Sequence, residues 1–312
     1  MAASSLLQLA PIGPLADRLL RDNLGAVRLW EEEADWLARH GAGVELLATS
    51  VRRGCDAAMM AALPQLRAIS SWGVGYDTLD VEAAHARGIQ VANTPDVLDD
   101  CVADLAWGLL IAAARRISAS DRYVRAGEWR DLGGFPLTTK VSGKRLGILG
   151  LGRIGTAIAR RGQGFDMQVR YNGRSPKDVP YGFEASLVAL AEWSDFLVVA
   201  CGGGPETRHL VSAEVLAALG PRGILVNIGR GSVVDQAALI AALEAGTLGG
   251  AGLDVLQGEP GAPTALCHRD NVVISPHVGS ATIETREAME QLVVDNLHAF
   301  LREGRVLTPI LR

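Results

Sequence analysis

Of 312 residues only four are cysteine and 5% are aromatic, and the 30 basic residues are outnumbered by 35 acidic ones. Each scarcity excludes something. Cys55, Cys101, Cys201 and Cys267 are scattered, with no CxxC pair and no histidine at metal-ligand spacing. A disulfide framework and a metal site are therefore disfavoured, and buried apolar thiols in a reducing cytoplasm are the plain expectation. The net charge of −5 and a pI near 5.7 remove the basic footprint of a nucleic-acid-binding protein. Long hydrophobic runs are missing too. The longest nearly apolar stretch, Leu105–Ala114, has ten residues, against the ~20 needed to cross a bilayer, so no membrane partner is expected. The first basic residue is Arg18, so the charged start of a signal peptide is absent and a cytoplasmic chain is expected.

What the chain does have is apolar bulk and glycine. Hydrophobic residues make up 48% and charged residues 21%, enough to bury a sizeable core and to exclude wholesale disorder. The length suggests about two domains at roughly 150 residues each. Glycine, 36 residues or about 12%, exceeds the usual ~7%. It follows no collagen period and forms no low-complexity tract, so it serves individual backbone positions.

Short apolar runs alternate with longer amphipathic or alanine-rich segments. Strands are predicted at Leu6–Leu9, Val27–Trp30, Val44–Ala48, Leu66–Ser70 and Ile89–Ala92, with helices at Glu31–His40 and Val81–Arg87. The central part repeats the pattern, with strands at Arg145–Leu149, Met167–Tyr171, Phe196–Ala200, Ile224–Ile228, Gly252–Val255 and Val272–Ser275. Helices fit between them at Gly155–Gln163, Ala185–Trp193, Ser212–Leu219 and Asp235–Ala245, and two long ones flank the set at Asp100–Arg116 and Ala281–Glu303. Strands joined by helical crossovers imply α/β architecture with parallel sheets, and the six central strands suit a dinucleotide-binding sheet.

One motif gives that sheet a ligand. The predicted strand Arg145–Leu149 runs into Gly150-Leu151-Gly152-Arg153-Ile154-Gly155 and then a helix. In GxGxxG the first glycine makes the tight turn, the second admits a pyrophosphate to the backbone, and the third lets the helix pack closely. Alone the motif is weak, but between a strand and a helix it is specific. An acidic residue about 20 positions on would bind the ribose hydroxyls. Here the second strand ends in Tyr171-Asn172-Gly173-Arg174-Ser175-Pro176-Lys177, without Asp or Glu. Arg174, Ser175 and Lys177 suit a 2′-phosphate, so NADP(H) is expected over NAD(H), with a solvated basic turn as the alternative.

Three polar residues follow strand ends of the same sheet, where open α/β sheets bind ligands: Arg230 after Asn227-Ile228-Gly229, Glu259 after Leu253-Asp254-Val255, and His277 after Ser275-Pro276. A guanidinium fork grips a carboxylate or keto oxygen, an imidazole can protonate a ketone oxygen as hydride arrives at carbon, and a carboxylate on its far nitrogen fixes the tautomer. Taken singly, each could be an ordinary surface group.

The order of motifs resembles the D-isomer-specific 2-hydroxyacid dehydrogenase family, and within it the glyoxylate/hydroxypyruvate reductase branch. The resemblance rests on Gly73-Val74-Gly75-Tyr76-Asp77, Asn93-Thr94-Pro95-Asp96-Val97-Leu98, Ala103-Asp104-Leu105, the glycine loop, Asn227-Ile228-Gly229-Arg230-Gly231, Leu253-Asp254-Val255 and Pro276-His277. It implies two doubly wound lobes, a Rossmann cofactor domain (100–284) inserted into a flavodoxin-like substrate-binding domain (1–99 and 285–312). It implies Arg230, Glu259 and His277 as catalytic residues, and the amides of Val74 and Gly75, with Arg230 and His277, as binders of a small 2-ketoacid or 2-hydroxyacid. It implies cofactor contacts along Gly150–Gly155, at Asn172, Arg174 and Ser175, at Cys201, Gly202 and Thr207, and at Ile228, Gly229, Arg230, Asp254, His277 and Gly279. It also implies closure of the lobes over substrate and a homodimer, with Asp100–Arg116 and Tyr123–Trp129 as candidate interface or, alternatively, interlobe core.

One departure concerns Gly202-Gly203-Gly204, where the family usually has a proline-containing segment; a slacker run is expected to cost some cofactor affinity. Arg52 and Trp72 are candidates for the substrate tail, as is Trp129 from a partner subunit, although a solvated arginine is the simpler reading of Arg52. Two alternatives to an NADPH-dependent reductase stand. One is a dinucleotide sensor on the same fold, which retention of Arg230, Glu259 and His277 argues against. The other is an NAD-dependent dehydrogenase of different substrate preference.

Overall fold

The computed structural model describes residues 5–311. The chain divides into two compact units, one running to Leu98 and resuming at Ser280, the other spanning Asp99–Gly279.

The first unit is built on five parallel strands, β1 (Leu6–Gln8), β2 (Val27–Arg28), β3 (Leu46–Ser50), β4 (Ala68–Trp72) and β5 (Gln90–Ala92), in the order β2-β1-β3-β4-β5. This 2-1-3-4-5 arrangement is the flavodoxin-like one. β3 and β4 lie two residues further along than their apolar runs suggest. Thr49, Ser50 and Ser71 fall beyond the predicted strands, yet they and Ser70 are all buried in the sheet. Two of these hydroxyls are satisfied by carbonyls outside the sheet, Thr49 donating to that of Gly54 (2.8 Å) and Ser70 to that of Val293 (3.1 Å). The long helix Ile283–Glu303 belongs to this unit. Its Glu290, 5% exposed, accepts the N–H groups of Leu15 (2.8 Å) and Ala16 (2.9 Å) at the start of the helix Pro14–Leu24. That carboxylate satisfies helix-terminal donors that would otherwise be buried without partners. The tail closes the unit: Ala92 bridges Pro309, and the Ile310 N–H donates to the Val91 carbonyl (2.7 Å).

The second unit holds β6 (Arg145–Leu149), β7 (Gln168–Asn172), β8 (Gly182–Phe183), β9 (Phe196–Val199), β10 (Ile224–Asn227), β11 (Gly250–Leu253) and β12 (Val272–Ile274). All are parallel, in the order β12-β11-β10-β9-β6-β7-β8. Counted from β6 this is the Rossmann order 3-2-1-4-5-6 with one strand added beyond the sixth. The sheet therefore has seven strands rather than six. The one not anticipated, β8, is two residues long and too short for a periodicity signal. β6, β9 and β10 are apolar almost throughout and buried on both faces, as in a sheet covered by helices on each side.

The helix Asp99–Ala114 packs on β10, β11 and the helix Arg153–Gln163, and Trp107 donates to the Ile158 carbonyl (3.1 Å) while stacking on Phe165. One face of this helix is core of its own unit, while Asp104 and Gly108 on the other, and Arg115 just past its end, are exposed. The segment after it exposes Ile117, Val124, Trp129, Leu132 and Leu137. No helix among the described residues is long and apolar enough to cross a membrane. The thiols are not uniformly buried: Cys55 is, Cys101 and Cys201 are half-buried, and Cys267 is exposed at the end of the short helix Thr264–Cys267.

Candidate active site

β6 delivers the chain to the glycine loop at the point where strand order reverses, between β7 on one side and β9 on the other. Gly150 has φ 96°, and a Cβ there would sit 2.8 Å from the Cys201 backbone, so only glycine makes this turn. Gly152 precedes the first residue of the helix Arg153–Gln163 and faces open space. A Cβ would fill that cradle, whereas a pyrophosphate can occupy it against the helix N-terminus. At Gly155 a Cβ would overlap the Gly150 carbonyl oxygen, so the helix rests directly on the loop. These residues fit a dinucleotide.

Beyond β7 the chain folds back on the glycine loop. The Lys177 N–H donates to the buried Tyr171 hydroxyl (2.6 Å), and Lys177 Nζ donates to the Leu151 carbonyl (2.6 Å). Arg174 and Ser175 are exposed on this loop. The Asn172 amide group, by contrast, donates to the Glu184 (2.8 Å) and Ala185 (3.1 Å) carbonyls and holds the segment that follows β8. After β9, burial pushes the Cys201 thiol up to about 11, which keeps it a neutral apolar filler at physiological pH. The glycine run is not slack along its length. A Cβ on Gly203 would lie 2.8 Å from Arg230 Cγ, so this glycine is where the segment packs against the arginine stem. Thr207 donates to the Gly204 carbonyl (3.2 Å) and closes the following turn.

Asn227, the last residue of β10, shapes the Arg230 loop: its amide donates to the Arg230 carbonyl (3.0 Å) and accepts the Gly229 N–H (3.1 Å). Arg230 is half-buried, and its Nη1 donates to the Gly229 carbonyl (2.8 Å). On the neighbouring loops His277 Nδ1 meets Glu259 Oε2 at 2.7 Å, and the other oxygen of Glu259 accepts the Leu256 N–H (2.7 Å). The imidazole is thereby oriented through Nδ1. Among the described residues no cluster of three or more His, Cys, Asp or Glu is placed to hold a metal.

Asp254 has a structural task beyond any role at the nicotinamide. It is 3% exposed, and its carboxylate accepts the Ser275 hydroxyl (2.6 Å) and the N–H groups of Val278 (2.8 Å) and Gly279 (2.8 Å). The His277 N–H donates to the Asp254 carbonyl (2.9 Å), and His277 itself sits at φ 55°. One buried carboxylate thus clamps the whole 275–279 segment. The only hint in the sequence is a carboxylate directly after an apolar strand.

In the first unit the loop after β4 is held by the first two residues of the Asn93–Leu98 motif: Thr94 Oγ1 accepts the Gly73 N–H (3.0 Å), and Asn93 donates to the Val74 carbonyl (2.8 Å). Among the described residues no acceptor is taken by the N–H groups of Val74 and Gly75. Trp72 is buried within β4 with Arg286 4.4 Å over its ring, and is therefore not an open tail contact; Arg52 is exposed.

Residues 107–279 match the family model of the D-isomer specific 2-hydroxyacid dehydrogenase NAD-binding domain. The chain is 47% identical to a hydroxyphenylpyruvate reductase of Plectranthus scutellarioides, covering 99% of this chain and 100% of that one. It is 45% identical, with the same coverage, to glyoxylate/hydroxypyruvate reductase A of Arabidopsis thaliana. Its structure is similar to that of an NADPH-dependent glyoxylate/hydroxypyruvate reductase from Sinorhizobium meliloti in complex with NADP and malonate (TM-score 0.90, 42% identity, 98% of this chain and 96% of that one). The chain belongs to the D-isomer-specific 2-hydroxyacid dehydrogenases, in the glyoxylate/hydroxypyruvate reductase branch.

Proposed function

We propose that the protein is an NADPH-dependent reductase that converts small 2-ketoacids of the glyoxylate/hydroxypyruvate type to D-2-hydroxyacids, in the cytoplasm. The observation that carries this reading is the 2.7 Å contact between His277 Nδ1 and Glu259, which orients a proton donor at the carboxyl end of the sheet. Gly150–Gly155 would hold the pyrophosphate, Ile228 and Gly229 would line the dinucleotide with Cys201, Gly202 and Thr207, and Asp254 and Gly279 would meet the carboxamide end. NADPH held there would supply the hydride that reduces C2 of the ketoacid. His277 gives a proton from Nε2 to the carbonyl oxygen, Glu259 stabilises the imidazolium that does so, and Arg230 polarises that oxygen and grips the carboxylate. In the first unit, the N–H groups of Val74 and Gly75, which take no acceptor among the described residues, are a proposed carboxylate-binding pair.

Arg174 and Ser175, with no carboxylate between Asn172 and Lys177, support NADPH over NADH, as does the NADP bound to the Sinorhizobium relative. Wild-type enzyme should use NADPH far better than NADH at low micromolar cofactor. Arg174→Ala should raise the KM for NADPH by ~10–100-fold, the value of a charge-assisted hydrogen bond, with little change for NADH. Following nicotinamide absorbance with each cofactor tests this, with glyoxylate, hydroxypyruvate and 4-hydroxyphenylpyruvate as substrates. Equal or better use of NADH sinks the cofactor assignment.

The exposed apolar side chains of Ile117, Val124, Trp129, Leu132 and Leu137 support a homodimer through this segment. Sedimentation should give twice the chain mass, and Trp129→Glu with Leu137→Glu should give monomers. A monomeric wild type overturns the dimer.

A further inference from the structure

Glu259 can orient His277 only if the turn carrying it is fixed, yet Gly258, Glu259 and Pro260 all lie at the surface. The anchor is the adjacent Gln257. Its backbone N–H donates to Gln236 Oε1 (2.9 Å), and its side-chain nitrogen donates to the Val234 carbonyl (3.0 Å) and meets His209 Nε2 at 2.7 Å. A carbonyl can only accept, so the Val234 oxygen fixes which end of the amide faces it. His209 Nε2 must then accept, with the ring proton on Nδ1. His209 is itself held in place: its N–H donates to the Ser232 carbonyl (2.9 Å) and its φ is 53°, a region that a non-glycine residue keeps only where its surroundings enforce it. On the other side of the turn, a Cβ on Gly231 would overlap the Leu256 carbonyl, so the turn also lies against the backbone next to Arg230. Gln257 and His209 therefore tie the segment after β9, the Arg230 loop and the Glu259 turn to one another.

We propose that Gln257 and His209 are positioning residues for proton transfer, acting through Glu259 to hold His277 in its reactive orientation. The proposal rests on the reading of His277 as proton donor with Glu259 as its partner. A double-mutant cycle on the full-length enzyme tests it. Gln257→Leu, which keeps side-chain bulk, should lower kcat by about tenfold or more, as small misplacements of catalytic groups do, with KM for NADPH and ketoacid within about twofold. In a Glu259→Ala background the same change should alter kcat by less than about twofold, because the group it positions is gone. His209→Leu should behave likewise, and His209→Gln, which keeps an acceptor, should recover most of the loss. An equal loss of kcat in both backgrounds, or no loss in the wild-type background, overturns the proposal. If Glu259→Ala alone leaves kcat unchanged, the underlying assignment of Glu259 fails, and this proposal with it. Should Gln257→Leu not fold by thermal unfolding, His209→Leu carries the same cycle and the same outcomes.

Discussion

Substituting His277 by glutamine is expected to lower kcat for ketoacid reduction by ~10²–10⁴-fold, the range associated with loss of a positioned general acid. Glutamine is close in length and can still hydrogen-bond Glu259, and the backbone restraints at this position do not involve the ring. The His277 N–H donates to the carbonyls of Asp254 (2.9 Å) and Ser275 (3.1 Å), and the flanking amides of Val278 and Gly279 stay on the Asp254 carboxylate. The loop should therefore keep its course, and NADPH titrated by fluorescence should bind with a Kd within about threefold of wild type, because no charged contact to the dinucleotide is removed. The loss is confined to the proton: the amide cannot deliver one to the alkoxide forming at C2. A kcat within about threefold of wild type would remove His277 from the chemistry. The same titration separates a reductase from a dinucleotide sensor, since a sensor would bind NADPH and turn over no ketoacid even with His277 in place.

What was legible in the chain follows from how local each requirement is. The glycine loop needs three glycines at fixed spacing between a strand and a helix, and β6 begins and ends at Arg145 and Leu149, the limits that its apolar run predicts. The starts of the helices Ala213–Leu219 and Gln236–Glu244 were equally local, because Ser212 and Asp235 cap them, accepting the N–H groups of Val215 (3.4 Å) and Ala238 (3.0 Å). Pro14 at the first turn of the helix Pro14–Leu24 was a signal of the same kind left unread.

Features built by distant partners were not legible. β8 takes its identity from pairing with Arg170 and Tyr171, not from its own two residues. The buried hydroxyl of Thr49 looks like loop chemistry until its carbonyl partner is known. Trp72 looked like a loop aromatic near the substrate amides, yet it ends β4 and is buried. The site shows the same division. Arg230, Glu259 and His277 announce themselves by residue type and place after strands. The groups proposed to orient them, Asp254, Asn227 and Gln257, bond in large part to backbone amides and carbonyls, which leave no mark in residue type.

Removing the guanidinium of Arg230 is expected to cost more in kcat/KM than any other single change outside the proton donor. In the proposed reaction Arg230 would do two things, hold the ketoacid in the ground state and stabilise the charge growing on its carbonyl oxygen. Arg230→Ala should lower kcat by ~10²–10³-fold, as loss of one oxyanion donor does, and should raise KM for the ketoacid as well. The expected pattern differs from that of His277→Gln, in which kcat falls with KM little changed. Lysine should restore little. The Arg230 fork already places Nη1 on the Gly229 carbonyl at 2.8 Å, with its stem against Gly203, so the planar group is steadied in its own loop. An ammonium is a single point of charge that cannot serve both ends, and it prefers to remain hydrated. The loop itself should survive either substitution, because the Asn227 amide bonds the Arg230 carbonyl rather than its side chain. Steady-state kinetics on Arg230→Ala and Arg230→Lys decide the matter. If Arg230→Lys keeps kcat/KM within about threefold of wild type, a bare positive charge suffices and the bidentate role is wrong. If Arg230→Ala raises KM with kcat unchanged, the residue binds substrate and transition state equally and takes no part in the chemical step.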